Sequence, residues 1–527
     1  MKKGRKYFAS LMLAAMISSS AINVFAADND GWTEATQTRP GQTRAWSAWC
    51  KQWEAIKNSP TQMSLSPGQD ETELNFAWYS KDTDSQAKLK ISTNKKMKNA
   101  KVLKVTTTDA TEGFKSNKAT AKNLKSNTKY YYSYTIDGEW TEPTLYETQK
   151  TKSYSFGFVG DPQIGSSESN TATGSTEKQG QDNAVRNDSF NWNNTINTML
   201  KKDSDISFIV SAGDQIQTRD KKNPSMSYNK NEIEYAGYLS PTALKSVPIA
   251  TSIGNHDAVS GNYSYHFNTA NASDLGSTMA GGDYYYTYGN TLFIMLNTNN
   301  TNIAEHQKFV ENTVKQNKDA KWKIVTLHQD IYGSGEHSNE PEIANLRYNL
   351  IPIFEENDID VVLTGHDHTY SRSYMLKGGS LDESSMITDD EFGDYFEGKV
   401  ESDQKYEDYL DSIEDADAVE TTNTRTVTNP EGILYMTANS ASGSKYYDLV
   451  EKKQAYIASR WQEDVPTYSI IDVTDTTFTI NTYRTDNNRK IDSSFTIKKT
   501  NKKTNKKNNV NHNNSNHDNK KTNHEKH

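Results

Sequence analysis

Five separated stretches of this chain follow one pattern: a short apolar run that stops at a cluster of glycine with aspartate, asparagine or histidine. Residues 154–159 run into Gly160, Asp161, Pro162 and Gln163, and residues 206–210 into Gly213 and Asp214. Residues 247–253 run into Gly254, Asn255, His256 and Asp257. Residues 322–327 reach His328, and residues 359–364 reach Gly365, His366, Asp367 and His368. Apolar runs of this length predict buried β-strands. In open α/β sheets, ligands bind just beyond the C-terminal ends of the strands. Laying the five runs side by side therefore gathers the polar clusters at one edge. A lone His-x-His pair is a weak signal and is equally a loop feature. Five strand ends delivering the same side-chain types are a stronger one, and neutral imidazole is the commonest metal ligand. Gly365 is expected to allow a tight turn before the histidines.

The rest of the chain supports such a framework. Residues 61–150 alternate as an all-β unit, with strands expected at 73–79, 87–92, 102–106, 121–124 and 129–135 and a hairpin turn at Asp137-Gly138. From 153 onward strands alternate with helices, expected at 190–201, 306–315 and 345–356, which means an α/β domain. A return to β follows at 432–437, 468–473 and 477–483. Residues 378–428 are rich in Asp and Glu and read as a solvated acidic insertion or a small helical lid. Their spacing lacks that of an EF-hand calcium loop. Trp46, Trp49 and Trp53 fall on one helical face, expected to pack on a neighbouring domain rather than to bind sugar.

The 527 residues suit two or three domains, and a formal net charge of −9 argues against a general nucleic-acid binder. Residues 1–26 read as an export signal with a basic start, a short apolar stretch and a cleavage site near Ala26, so the mature protein is expected outside the cell or at its surface. No later stretch is apolar and long enough to span a bilayer. Cys50 is the only cysteine, which leaves no internal disulfide. It is expected to pack as a small, partly buried side chain. Residues 498–527 form a Lys/Asn/His-rich tail, expected to be disordered and able to associate electrostatically with an anionic cell envelope.

The five ordered clusters resemble the motifs of calcineurin-like metallophosphoesterases. The β unit ahead of them resembles the N-terminal domain of purple acid phosphatases, and its 124–130 turn resembles that of fibronectin type III domains. The resemblance covers roughly residues 61–483. It implies two mixed sheets flanked by helices over 153–490, preceded by an all-β, fibronectin type III-like domain over 61–150, with a Trp-rich segment at 27–60. It also implies a site with two metal ions. Asp214 would bridge them. Asp161 and His368 would hold the first ion, and Asn255, His328 and His366 the second. A metal-bound hydroxide would attack a phosphate ester in line. His256 would contact phosphate and act as general acid. His337 resembles a second active-site histidine, with a surface-loop histidine as the alternative.

Two departures stand out. Purple acid phosphatases carry tyrosine three residues after the bridging aspartate, and this chain has Gln217. Loss of a phenolate favours two divalent ions (Fe, Mn or Zn) over a ferric one. Where other metallophosphoesterases have Asp-x-His, this chain has Asp161-Pro162-Gln163, so Gln163 either binds the first ion through its amide oxygen or orders water. The implied activity is phosphomonoester hydrolysis of the acid phosphatase type. The alternatives are a phosphodiesterase or nucleotidase on the same site, and a surface binding protein with a decayed metal site. His266 and His306 match no motif and are expected to be structural or superficial.

Overall fold

The computed structural model describes residues 43–57, 63–82, 85–111, 113–171, 177–218, 224–400 and 404–500. The expected export segment at 1–26 and the tail beyond residue 500 lie outside them.

Helix α1 (Thr43–Ile56) comes first. The β unit follows: β1 (Ser64–Pro67), β2 (Leu74–Lys81), β3 (Leu89–Ser92), β4 (Lys101–Val102), β5 (Val105–Asp109), β6 (Phe114–Ala121), β7 (Lys129–Ile136), β8 (Glu139–Trp140) and β9 (Thr144–Glu147). They form two sheets, β1-β2-β6-β5 and β4-β3-β7, with β8 and β9 both paired to β7. Leu74, Phe76, Trp78, Leu89, Ile91 and Tyr132 fill the space between them. Asp137 (φ 50°) and Gly138 (φ 85°) are both left-handed, as a type I′ hairpin turn demands. The strand expected at 102–106 is broken in two, and its halves join different sheets. Strand β6 escapes a hydrophobicity pattern because Ser116 and Asn117 are buried on it. Ser116 Oγ donates to Tyr265 O across the domain boundary at 2.7 Å.

The α/β unit contains β10 (Tyr154–Val159), α2 (Gly180–Lys202), β11 (Ile206–Ser211), α3 (Pro224–Tyr238), β12 (Ile249–Thr251), α4 (Asn262–His266), β13 (Tyr284–Tyr288), β14 (Thr291–Met295), α5 (Ile303–Gln316), β15 (Trp322–Thr326), α6 (Pro341–Glu356) and β16 (Val361–Thr364). Then come β17 (Tyr370–Leu376), α7 (Asp389–Phe396), α8 (Gln404–Ser412), β18 (Val419–Thr421), β19 (Thr426–Thr428), β20 (Ile433–Thr437), β21 (Ile457–Trp461), β22 (Thr467–Val473), β23 (Thr477–Arg484) and β24 (Phe495–Lys498). One sheet runs β12-β11-β10-β22-β23-β24-β19 and the other β13-β14-β15-β16-β20-β17-β18, with β21 on β17. Both are mixed, as expected.

Period-two alternation builds the layers. Phe208 and Val210 of β11 face Trp322 and Ile324 of β15 and Val361 and Leu363 of β16 between the sheets. Ile209 of β11 points the other way, into a layer with α1, α2 and α3. Val325 and Val362 point outward under α5 and α6. The result is a four-layer α/β/β/α sandwich. Within it β10, β11 and β12 run parallel, as do β14, β15, β16 and β20. Their C-terminal ends meet along one rim.

Trp46, Trp49 and Trp53 are buried, and Trp46 lies edge-on to Phe190 of α2 at 5.2 Å. The three indoles are packing residues, and Cys50 lies partly buried among them. The acidic insertion 378–428 carries two short helices, α7 and α8, with Asp382, Glu383, Asp389 and Asp390 exposed and a few aromatic side chains packed beneath. Phe392 and Tyr409 from α7 and α8 join Ile387, Ile413 and Ala344 of α6 in a small core. The buried Arg347 reaches from α6 to Ser338 O at 2.6 Å and Ile413 O at 3.2 Å, and also donates to Ile331 O. Aromatic residues at helical spacing within the acidic stretch account for the packing. His306 and His266 are buried and structural: the first pairs with Asp283 at 2.8 Å, the second with Glu232 at 3.2 Å.

Candidate metal centre

Five residues at the rim hold left-handed backbone: Asp161 (φ 47°), Gln163 (36°), Asp214 (47°), His366 (75°) and His368 (48°). Such conformations cost on the order of 1–3 kcal/mol each outside glycine and cluster at functional sites. They turn each side chain inward just past its strand. Gly213, directly before Asp214, is itself left-handed (φ 98°), whereas Gly254 and Gly365 serve close approach. A Cβ on Gly254 would lie 2.1 Å from Asp214 N, and one on Gly365 would lie 2.6 Å from Asp161 Oδ2. The tight turn expected at Gly365 is made with the positive φ on His366 and His368.

All nine predicted residues meet here. His328 is the hub: its Nε2 lies 2.9 Å from Asn255 Oδ1, 3.1 Å from His366 Nδ1 and 3.4 Å from Asp214 Oδ2. Asp161 sits on the other side, 3.6 Å from His368 Nε2, and accepts the His366 N–H at 3.0 Å. The Gln163 N–H donates to Asp214 O at 2.8 Å, tying the first two loops together. The Gln163 and Gln217 side-chain oxygens are buried with no hydrogen-bond partner among the described residues. His256 and His337 line the same cavity, of about 510 Å³, with Asp214, Asn255, His366 and His368.

Four imidazoles share one anchoring rule. Nδ1 of His328 meets Ala212 O at 2.8 Å, that of His368 meets Lys445 O at 2.8 Å, and that of His337 meets Glu340 Oε1 at 2.7 Å; that of His256 meets Gln217 O. An oxygen of this kind only accepts, so each Nδ1 carries the proton and each Nε2 is left for the cavity. Carbonyl or carboxylate partners of this type orient metal-binding histidines.

The charges fit a cation. Burial, then repulsion from Asp214, outweighs the facing His328 and pushes Asp161 up to about 8. Burial would raise Asp214 too, but His328 and His256 hold it below the ordinary range. Burial, then the charge of Lys445, brings His368 down to about 3, and burial with His328 and His337 holds His366 well below the ordinary imidazole range. Burial would lower His328, but Asp214 and Asp161 outweigh it and raise it to about 9. Crowded carboxylates beside the neutral imidazoles of His366 and His368 are a donor set that a positive ion relieves, and such an ion would displace the His328 proton. Asp214, His328 and His366 present ligand atoms all within 4.8 Å of one another, close enough for one ion to reach.

Sequence reasoning missed the support behind these ligands. Asp257 accepts the Gly254 N–H at 3.0 Å and the Tyr235 hydroxyl at 3.1 Å. Asp367 accepts the N–H groups of Gly335 (3.1 Å), His337 (3.0 Å) and Ser338 (3.3 Å). Both acids stood inside the quoted motifs, and a second acid beside a ligand was the available signal. The loop after β20, carrying Lys445 and Tyr447 into the cavity, was also missed. It is a further strand end with a small, polar sequence.

Residues 154–370 match the family model for calcineurin-like phosphoesterases, and residues 60–156 match that for the purple acid phosphatase N-terminal domain. The chain carries a calcineurin-like phosphoesterase domain. Among solved structures, a purple acid phosphatase from yellow lupin (Lupinus luteus) seeds is 12% identical with a TM-score of 0.58, over 83% of this chain and 74% of the lupin one. At that identity the likeness is one of fold. Purple acid phosphatase 3 of Arabidopsis thaliana is 43% identical over 49 residues, 9% of this chain and 13% of the relative. An uncharacterized protein of Mycobacterium tuberculosis is 28% identical over 64 residues, 12% of each chain. The chain thus aligns with only about an eighth of the length of these curated relatives. The phosphoesterase domain accounts for the mixed sheets, and no helix among the described residues is long and apolar enough to cross a membrane.

Proposed function

We propose that the protein is an exported, metal-dependent hydrolase of phosphate monoesters, of the acid phosphatase type. The observation that carries this is the convergence of five strand ends on one cavity, with Asp214, His328 and His366 offering ligand atoms to a common point. In this reading Asp161, Asp214, Asn255, His328, His366 and His368 hold two divalent ions, with Gln163 completing the first site. The ions, when bound, neutralise the phosphate and activate water.

The protein's own groups do the rest. Hydrogen bonds to Nδ1 orient His256 and His337 so that Nε2 faces the cavity. Burial lowers the proton affinity of His337, but Glu340, Asp367 and Glu336 outweigh it and favour the protonated ring. His337 therefore suits an anion contact, and His256, beside Asp214, suits proton delivery to a leaving alkoxide. Export through residues 1–26, envelope association of the tail and the fibronectin type III likeness of 61–150 belong to the same reading.

The test is metal content and turnover together. The full chain loaded with Mn²⁺, Zn²⁺ or Fe²⁺ should bind two ions and hydrolyse aryl phosphates, and Asp214→Ala should abolish both. Wild-type protein that holds no ion and cleaves no phosphate ester overturns the reading.

A further inference from the structure

We propose that Lys445 and Tyr447 form an anion subsite beside the metal centre, selecting phosphate monoesters that carry a second anionic group near the scissile phosphate. This rests on the phosphoesterase reading above and names its substrate class.

Both residues line the cavity shared by Asp214, Asn255, His256 and His366. Their loop leaves β20, whose Thr437 pairs with Thr364 of β16, so it emerges beside the loop bearing His366 and His368. It is fastened to the first ligand loop. Ser440 Oγ donates to Asp161 O at 3.0 Å, Ser444 Oγ to Pro162 O at 3.3 Å, and the Ala441 N–H to Gly160 O at 2.9 Å. Gln462 Nε2 clamps the far end through Tyr447 O at 3.1 Å. A lysine on such a loop binds with less entropy lost than one on a mobile surface.

The Tyr447 ring stands edge-on between His337 and His368, with centroids 4.9 and 5.1 Å away. Lys445 Nζ lies 4.3 Å from the Tyr447 centroid and hydrogen-bonds its hydroxyl. That contact orients the ammonium beside the phenol. Among the described lining residues, Lys230 is a further cation, and Glu168 is a carboxylate besides Asp214. Two divalent ions already match a phosphoryl dianion. A fixed ammonium and a phenol donor beside them suit an additional carboxylate or phosphate on the substrate.

Glycerol 3-phosphate and 3-phosphoglycerate test this, since they differ by a carboxylate on the same short skeleton. With the Mn²⁺-loaded full chain, kcat/KM should favour 3-phosphoglycerate by about tenfold, the scale of one charged hydrogen-bonded contact. Lys445→Met should bring the ratio close to one, Lys445→Arg should keep most of it, and Tyr447→Phe should reduce it. The ratio is insensitive to a loss of folded protein, which lowers both rates together. A wild-type ratio near one, or an unchanged ratio in Lys445→Met, overturns the subsite while leaving phosphoesterase activity standing. Turnover of neither compound by protein lacking bound manganese overturns the phosphoesterase reading and the subsite with it.

Discussion

His368 and Lys445 are 77 positions apart, yet the imidazole Nδ1–H of one donates to the backbone carbonyl of the other at 2.8 Å. The bond fixes the tautomer of His368, because a carbonyl only accepts, and it turns Nε2 toward Asp161 at 3.6 Å. The same loop thus orients one proposed ligand and presents a cation to the cavity.

Asp367 touches none of the reacting atoms but accepts three backbone N–H groups from the loop that carries His337. Asp367→Asn should therefore lower activity by about 10–100-fold, as loss of supporting contacts behind metal ligands does. A kinetic comparison with Asp214→Ala checks it. The latter should lose bound manganese outright, whereas Asp367→Asn should keep at least one ion by elemental analysis.

Asp188 and Glu234 give stability a pH dependence. Asp188 holds the N–H of Gly165 at 2.9 Å, and Glu234 that of Thr218 at 2.9 Å. Burial, only partly offset by these bonds, raises Asp188 from 3.8 to about 7 and Glu234 from 4.5 to about 7. Between the unfolded and folded values the folded chain keeps protons that the unfolded chain has released. The contribution is complete below about pH 4 and disappears as pH rises through 7. For Asp188 it is on the order of 4 kcal/mol. Denaturant titrations at pH 5 and pH 8 should show the wild type less stable at pH 8 by more than Asp188→Asn, whose profile should be flatter.

Glu232 joins the two units. It accepts from Tyr79 Oη at 3.1 Å and Thr111 Oγ1 at 2.5 Å in the β unit, and faces His266 Nε2 at 3.2 Å in the α/β unit. Glu232→Ala leaves buried donors without an acceptor and should cost about 3–5 kcal/mol. Calorimetry should show a lower midpoint, with the β unit melting ahead of the rest.

Arg347 fastens the acidic helices to α6. Arg347→Met keeps the volume but removes donors to three buried carbonyls. The expected result is faster proteolytic cleavage within 378–428, read by mass spectrometry, with about 2–3 kcal/mol less stability.

The rim itself was legible in the sequence because strand ends carry two signals at once, an apolar run and an abrupt polar cluster. Strands whose buried faces are polar gave no such contrast, so β6, with Ser116 and Asn117 inside, went unseen. Helix α3 was missed because its apolar positions, such as Ile233 and Tyr235, are too sparse to outline a face. The small core beneath the acidic stretch was not legible, since a few aromatics among many charges decide its packing. Tyr447 and Lys445 lie beyond a strand that was read correctly, but their place in the cavity depends on strand pairing, which one chain's pattern does not encode.

The five residues held at positive φ set thermal endurance against ion capture. A library of variants selected only for survival on heating should drift to glycine at 163, 366 and 368, because the backbone there relaxes when Cβ is removed. Such survivors would be sturdier proteins with an idle rim. Selection for retained manganese should instead hold the present side chains and move the compensating substitutions into the layers between sheets and helices.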